Sequence, residues 1–427
     1  AKGKRGHPGR SYFVIVALYD LKPVGLGSKA IDTLAFSFNL QKPFYVVVID
    51  AGSTGSRALA FSFHESILGG NLILDEELYT ETKPGLSAHA EKPRDSAKSL
   101  TVLLEKVKKV IPQSEWHRTP LSMRATAGLR LLPGHKAEEI LQECRKLFED
   151  SGFQVSKNAI SIMEGTDEGI FSWFTVNFLL ERFNTHNPGN TVAALDLGGG
   201  STQVTFSPNP EQVQVQQKTH NMSVYTHSYL GMGLMAARKE ILTNGMNLDN
   251  VNQKAVTEVR SECVNPIVTT EWSYGGLNYL VKGPVNGTHK LIKTPIVNFP
   301  ECLKIVQKYI GRIKNKPEGL KEHEIYAFSY YFERATEVGL VDPFFGGVIQ
   351  VSAFLRQAMD ACDYPNTDQP FICLDLTFIY VLLRDGFGLD PTTKLYLYKK
   401  ISGHELSWAL GAKFSHSDEY QIVFYLQ

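Results

Sequence analysis

Val46-Val47-Val48-Ile49-Asp50-Ala51-Gly52-Ser53-Thr54-Gly55-Ser56-Arg57 runs apolar, mostly β-branched residues into an acid and then into a string of small residues. The apolar run predicts a strand buried on both faces. Behind it, Gly52 to Gly55 let backbone N–H groups converge on an anion without side chains in the way. Ser53, Thr54 and Ser56 add hydroxyl donors. Asp50, at the carboxyl end of the strand, suits a metal ion or its waters rather than a phosphate.

The design returns at Val192-Ala193-Ala194-Leu195-Asp196-Leu197-Gly198-Gly199-Gly200-Ser201-Thr202-Gln203. One such loop reads as an ordinary tight turn; two in one chain point to a pair of phosphate-binding loops. Neither leads into a helix, because Ala58–Phe63 and Gln203–Phe206 read as strands. Each loop is therefore the predicted turn of a β-hairpin. That argues against a Walker-type P-loop, whose G-x-x-x-x-G-K-[ST] string is absent.

The chain has 427 residues, which suggests two domains. Lys+Arg and Asp+Glu both number 44, so no general positive field exists to attract nucleic acid or an anionic membrane. An anionic ligand must be held by local donors and a metal. No apolar run reaches membrane-spanning length, and Tyr12–Tyr19 is too short to span; a strand or a segment foreign to the fold is the preferred reading, the remnant of a signal or anchor the alternative. Residues 1–42 form an unassigned extension whose first residues are basic and glycine-rich.

Of the five cysteines, Cys144 lies on the apolar face of a predicted helix and reads as a buried free thiol. The other four suggest the disulfides Cys263–Cys302 and Cys362–Cys373. Sequons at Asn221 and Asn286 add a hint of the secretory pathway.

Further predicted elements are a helix over 95–111, a strand at 120–123, a helix over 136–151 and a short strand at 159–163. A helix over about 167–180 carries Thr166 as N-cap. An aromatic strand spans 324–332, and 348–362 is helical in pattern. Strands alternating with helices indicate α/β layers. The duplicated hairpin suggests two similar domains facing each other across a cleft.

Phosphoryl transfer asks for positioning and charge neutralisation. Two loops on opposite walls could cradle adjacent phosphates, with Asp50 and Asp196 holding Mg²⁺ or Ca²⁺ directly or through water. Glu168, in the first turn of its helix, is the candidate base for water, with Glu164 and Asp167 as local competitors. Ser201 and Gln203 could orient that water, and Thr126 a metal-bound one. Tyr330, Tyr331, Phe332 and Phe378 are candidates to stack a nucleobase, although core packing is the commoner fate of any one of them.

Asp50–Arg57, Arg124–Pro133, Glu164–Gly169 with Trp173, Asp196–Gln203 and Ser407–Ala412 resemble, in order, the five signature regions of the apyrase family, the nucleoside triphosphate diphosphohydrolases. Lys83–Ala88, Ala327–Tyr331 and Cys373–Thr377 resemble its soluble branch, whose members act in the ER or Golgi lumen or are secreted, and prefer nucleoside diphosphates such as UDP and GDP. The resemblance implies two actin-like (RNase H-like) domains with the active site between them: 43–163 plus 402–427, and 164–401. It implies Ca²⁺ or Mg²⁺ dependence, gives the base role to Glu168, and gives metal-water roles to Asp50, Thr126, Asp196 and Trp408. Phosphate contacts fall to Ser53, Thr54, Gly55, Ser56, Arg57, Gly198, Gly199 and Gly200, and water contacts to Ser201 and Gln203. Phe378, where many relatives have Tyr, and Phe332-Glu333-Arg334 depart from the family pattern at the presumed base pocket. The expected protein is a monomeric nucleotide hydrolase of the secretory lumen. The rival readings are an exopolyphosphatase or guanosine-pentaphosphate phosphohydrolase, and a non-enzymatic actin-like nucleotide-binding module.

Overall fold

The structure, a computed structural model, describes residues 35, 38, 41–65, 72–132, 134–182, 190–208, 224–244, 246, 256–285 and 295–414. Asn221, Asn286 and Tyr12–Tyr19 lie outside the described residues.

Two sheets carry the fold. The first contains β1 (Phe44–Ala51), β2 (Ser56–Glu65), β3 (Leu72–Thr82), β4 (Leu121–Ala125) and β5 (Ile160–Ile162), in the order β3-β2-β1-β4-β5. The second is built from β6 (Ala193–Leu197), β7 (Ser201–Phe206) and β8 (Tyr225–Leu230), with later strands of the chain beside β6. A small three-stranded sheet of β9 (Val256–Arg260), β10 (Thr269–Tyr274) and β11 (Leu277–Lys282) is separate in its hydrogen bonding but shares the core of the second sheet. With β12 (Ile325–Ser329), β13 (Gly347–Gln350) and β14 (Lys394–Leu397), the second sheet runs β13-β14-β12-β6-β7-β8. In both large sheets an antiparallel hairpin pair extends one way from the central strand and two parallel strands extend the other way, the second sheet adding the antiparallel edge strand β13. The duplication read from two loops is thus a duplication of whole sheets, as two actin-like domains require.

The helices are α1 (Pro93–Ser99), α2 (Thr101–Val110), α3 (Ala127–Arg130), α4 (Gly134–Glu149), α5 (Gly165–Leu179), α6 (Leu234–Thr243), α7 (Phe299–Ile310), α8 (Tyr330–Glu337), α9 (Val351–Asp363), α10 (Ile372–Val381) and α11 (Trp408–Phe414). β1 is buried on both faces, as its unbroken apolar run requires. Val47 and Ile49 pack with Leu103, Val107, Ile140 and Phe148 of α2 and α4. Val46 and Val48 pack with Phe171 and Phe174 of α5 and with Trp408 and Leu410 of α11. On the other side of α5, Trp173 and Val176 pack with Ala194 of β6 and Phe328 of β12. This helix is therefore apolar nearly all round, because it is the layer between the two sheets.

Local departures from expectation have local causes. The predicted 95–111 helix is broken at Leu100, which caps α1 and precedes α2. The helix expected from Asp167 begins at Gly165, with Glu164 rather than Thr166 in the extended N-cap position. The aromatic strand stops at Ser329, whose φ of 57° turns the chain, and Tyr330–Phe332 open α8 instead.

Both expected disulfides are present, Cys263–Cys302 and Cys362–Cys373, while Cys144 is free and buried, its thiol pushed up to about 12 by burial. The bridges close sequence separations of 39 and 11 residues, which on chain entropy alone correspond to ~4 and ~3 kcal/mol. The pair Cys263→Ala and Cys302→Ala is therefore expected to lower unfolding free energy in urea by more than Cys362→Ala with Cys373→Ala.

Candidate active site

The two hairpin turns meet across a cleft of about 460 Å³. Ser53 and Thr54 of the first loop face Gly199 of the second so closely that a Cβ at 199 would strike both side chains. Each loop is braced from behind by another glycine. A Cβ on Gly85 would strike the carbonyl of Gly52, and one on Gly233 would strike the backbone nitrogen of Ser201. Gly85→Ala and Gly233→Ala should each displace a loop's backbone and lower kcat/KM by about tenfold or more, since ångström-scale misplacement is costly in a preorganised site. Steady-state phosphate release checks this, with the thermal transition as a folding control.

Asp50 and Asp196 occupy equivalent positions at the carboxyl ends of β1 and β6, and both are buried. Asp50 Oδ2 accepts from Arg57 Nη1 at 3.2 Å, directly across the hairpin, and the Trp408 indole also donates to this carboxylate. Its Oδ1 is buried without a partner. Asp196 accepts from Ser329 Oγ at 2.6 Å and Ser172 Oγ at 3.2 Å. Burial pushes both acids up, Asp50 to about 6, and for Asp50 the charge of Asp196 adds to the effect. Two buried acids raised by desolvation, one of them further by its neighbour's charge, call for a cation. The orphaned Oδ1 of Asp50, the Asp196 carboxylate and the Thr126 hydroxyl on the wall are oxygen donors of the kind that fit a hard divalent ion. Trp408 lies on the cleft wall, and its indole N–H can donate to a metal-bound water but cannot ligate a metal directly.

Glu168 sits in the first turn of α5, on the cleft wall, with its side chain 9% exposed. Its Oε2 accepts from Arg130 Nη2 at 2.5 Å and from Gln203 Nε2 at 3.1 Å. The same Gln203 amide reaches Ser201 Oγ at 2.7 Å and Ser228 Oγ at 3.0 Å. Desolvation, with Asp196 and Asp50 nearby, pushes Glu168 up to about 8 against the opposing charge of Arg130. One turn along α5, Ser172 reaches Asp196, so a single helix serves both groups.

The cleft walls include Asp50, Ser53, Thr54, Arg57, Thr126, Glu168, Asp196, Gly198–Ser201, Tyr330, Phe332 and Trp408. Gly55 and Ser56 do not line it; the Ser56 hydroxyl is buried inside β2 without a partner, so it cannot reach a ligand there. Gln203 is buried behind Glu168 and Ser201 rather than on the wall. Tyr331 and Phe378 are in the hydrophobic core of the second sheet, because successive residues of a helix face different ways, and neither lines the cleft. Tyr330 is on the wall, its hydroxyl bonded to Thr54 of the first loop and its ring 5.6 Å from the Arg334 guanidinium. Sequence reasoning missed Arg130, Ser172, Ser228 and Ser329. Only Ser329 carried a signal, being a polar residue at the carboxyl end of a parallel strand beside β6.

Residues 39–425 match the GDA1/CD39 (nucleoside phosphatase) family. The chain belongs to that family. It is 39% identical over 383 residues to the human nucleoside diphosphate phosphatase ENTPD5, covering 87% of this chain and 86% of that one. Its identity to the Caenorhabditis elegans nucleoside-diphosphatase uda-1 is 37% over 409 residues, covering 89% and 83%. A nucleoside triphosphate hydrolase of Neospora caninum has the same fold, with a TM-score of 0.58 at 12% identity, covering 91% of this chain and 95% of that one. Divalent-cation dependence goes with membership of this family. Among the described residues no helix is long and apolar enough to cross a membrane.

Proposed function

We propose that this family member hydrolyses the terminal phosphate of nucleoside diphosphates, giving a nucleoside monophosphate and phosphate, with UDP and GDP as preferred substrates. The observation that carries the reading is the buried Glu168, set between two anion-holding hairpins and beside two acids that call for a cation. The names of the relatives point the same way.

The backbone of Ser53–Thr54 and Gly198–Gly200 receives the two phosphates from opposite walls. Asp50 and Asp196, with Thr126, would hold Mg²⁺ or Ca²⁺, directly or through water. Bound there, a divalent cation supplies charge neutralisation at phosphate oxygens. Glu168 takes the proton from water, Ser201 orients that water, and in-line attack needs no phospho-enzyme. Tyr330 and Phe332 offer the nucleobase an aromatic wall, and the Tyr330 hydroxyl bonds Thr54 of the first loop.

The two sheets are read as domains spanning 43–163 plus 402–427, and 164–401. Two disulfides suit an oxidising compartment, which supports a lumenal or secreted protein; we read it as a monomer. The test is phosphate release from UDP, GDP, CDP, ADP, ATP and long-chain polyphosphate, with either cation at fixed pH. Turnover of UDP and GDP above the rest is expected; turnover of polyphosphate alone, or nucleotide binding without turnover, overturns the reading.

A further inference from the structure

Glu168 has two carboxylate oxygens in unlike surroundings. Oε2 accepts from Arg130 and from Gln203, whereas no described residue donates to Oε1. Arg130 comes from α3, behind β4 of the first sheet, while Gln203 and Ser201 belong to β7 of the second. The guanidinium also stands 3.4 Å from Ser201 Oγ, so it spans the join between the halves. It passes directly over Gly165, the first residue of α5, where a Cβ would collide with its Nη1 and with the side chain of Ser228. Glycine at the start of a helix has no conformational need here; it leaves room for the arginine and for the serine that holds Gln203.

We propose that Arg130 is a positioning residue for the reaction: together with Gln203 it pins Oε2 of Glu168, so that Oε1 is the oxygen that receives the proton of the attacking water. In that step a water O–H bond breaks and its proton goes to Oε1. The oxygen's electron pair forms the new bond to the terminal phosphorus, and the anhydride P–O bond breaks toward the nucleoside monophosphate. A charged, forked donor holds a carboxylate in one orientation better than a neutral one. Because Arg130 is supplied from the first half and Glu168 from between the sheets, the base is aimed only when the two halves are in register.

The inference rests on Glu168 being the base, and Glu168→Gln separates the two. If Glu168→Gln keeps the parental rate, the base assignment fails and this inference with it. If Glu168→Gln is inactive, Arg130→Ala decides. The expected result is a kcat for UDP about 10²-fold lower with KM changed less than about threefold, the pattern of an interaction used mainly in the transition state. Added guanidinium should restore part of the rate of Arg130→Ala and none of Glu168→Gln, which a merely structural role would not produce. Arg130→Lys, which keeps a cation but loses the planar fork, should lower kcat in the same direction and serves if Arg130→Ala fails to fold. An unchanged kcat in both variants, or a KM that rises while kcat holds, overturns the proposal, the latter by showing that Arg130 grips phosphate instead.

Discussion

Glu168→Gln lowers kcat for UDP by about 10²–10⁴-fold while nucleotide binding persists, because glutamine keeps the size of the side chain but cannot take a proton at neutral pH. Steady-state phosphate release and calorimetric nucleotide binding measure the two effects separately. The pH profile carries a second signature. Burial and the two neighbouring acids push Glu168 up to about 8 in the cation-free protein. A base works only when ionised, so activity falls as pH drops through its pKa. A cation held by Asp50 and Asp196 offsets their charge and moves that acid limb to lower pH. The residual activity of Glu168→Gln should lack the limb. A parental rate in the folded variant would remove Glu168 from the mechanism.

Removing the divalent cation with excess chelator is expected to cut turnover by on the order of 10³-fold or more, the scale of several kcal/mol of lost charge stabilisation. The same acids make a prediction about stability that needs no substrate. Glu168 rises from 4.5 to about 8 on folding, Asp50 from 3.8 to about 6, and Asp196 upward as well. Between those limits the folded chain binds more protons than the unfolded chain, so unfolding free energy decreases as pH rises. The chelated protein should therefore show its Tm falling between about pH 5 and 8. Mg²⁺ or Ca²⁺ should raise Tm, and by more at pH 8, where the acids are ionised, than at pH 5. Full turnover in excess chelator, or a cation effect on Tm that is the same at both pH values, would count against the acid pair as the cation's seat.

The hairpins, the alternation of layers and both disulfides were legible because they rest on local patterns: an apolar run ending in Asp and glycines, or a spacing of cysteines. Glu168 was one of three candidate acids at the start of its helix, with Glu164 and Asp167, and the family resemblance rather than the local pattern chose it. What the residues hid was long-range or conformational. Arg130 sits within a recognisable stretch, but nothing in that stretch says that it reaches the base on another element. Ser172 looks like one more residue of an apolar helix until β6 is packed beside it. Tyr330–Phe332 have strand propensity, and only the positive φ of Ser329 turns them into a helix. That turn then decides which of the aromatic candidates face the cleft: Tyr330 and Phe332 do, Tyr331 does not.

In the repeated sheets, Arg57 stands across the hairpin from Asp50 where Gln203 stands across from Asp196. The two turns close hairpins of matching register, so on the proposed reading their backbones alone would not tell one end of a short polyphosphate from the other. Polarity has to come from the side chains that differ at this matched pair: a fixed cation on one wall, and on the other an amide committed to the carboxylate beside it. A pseudo-symmetric vise thereby becomes a directional one, with a passive jaw and a cutting jaw.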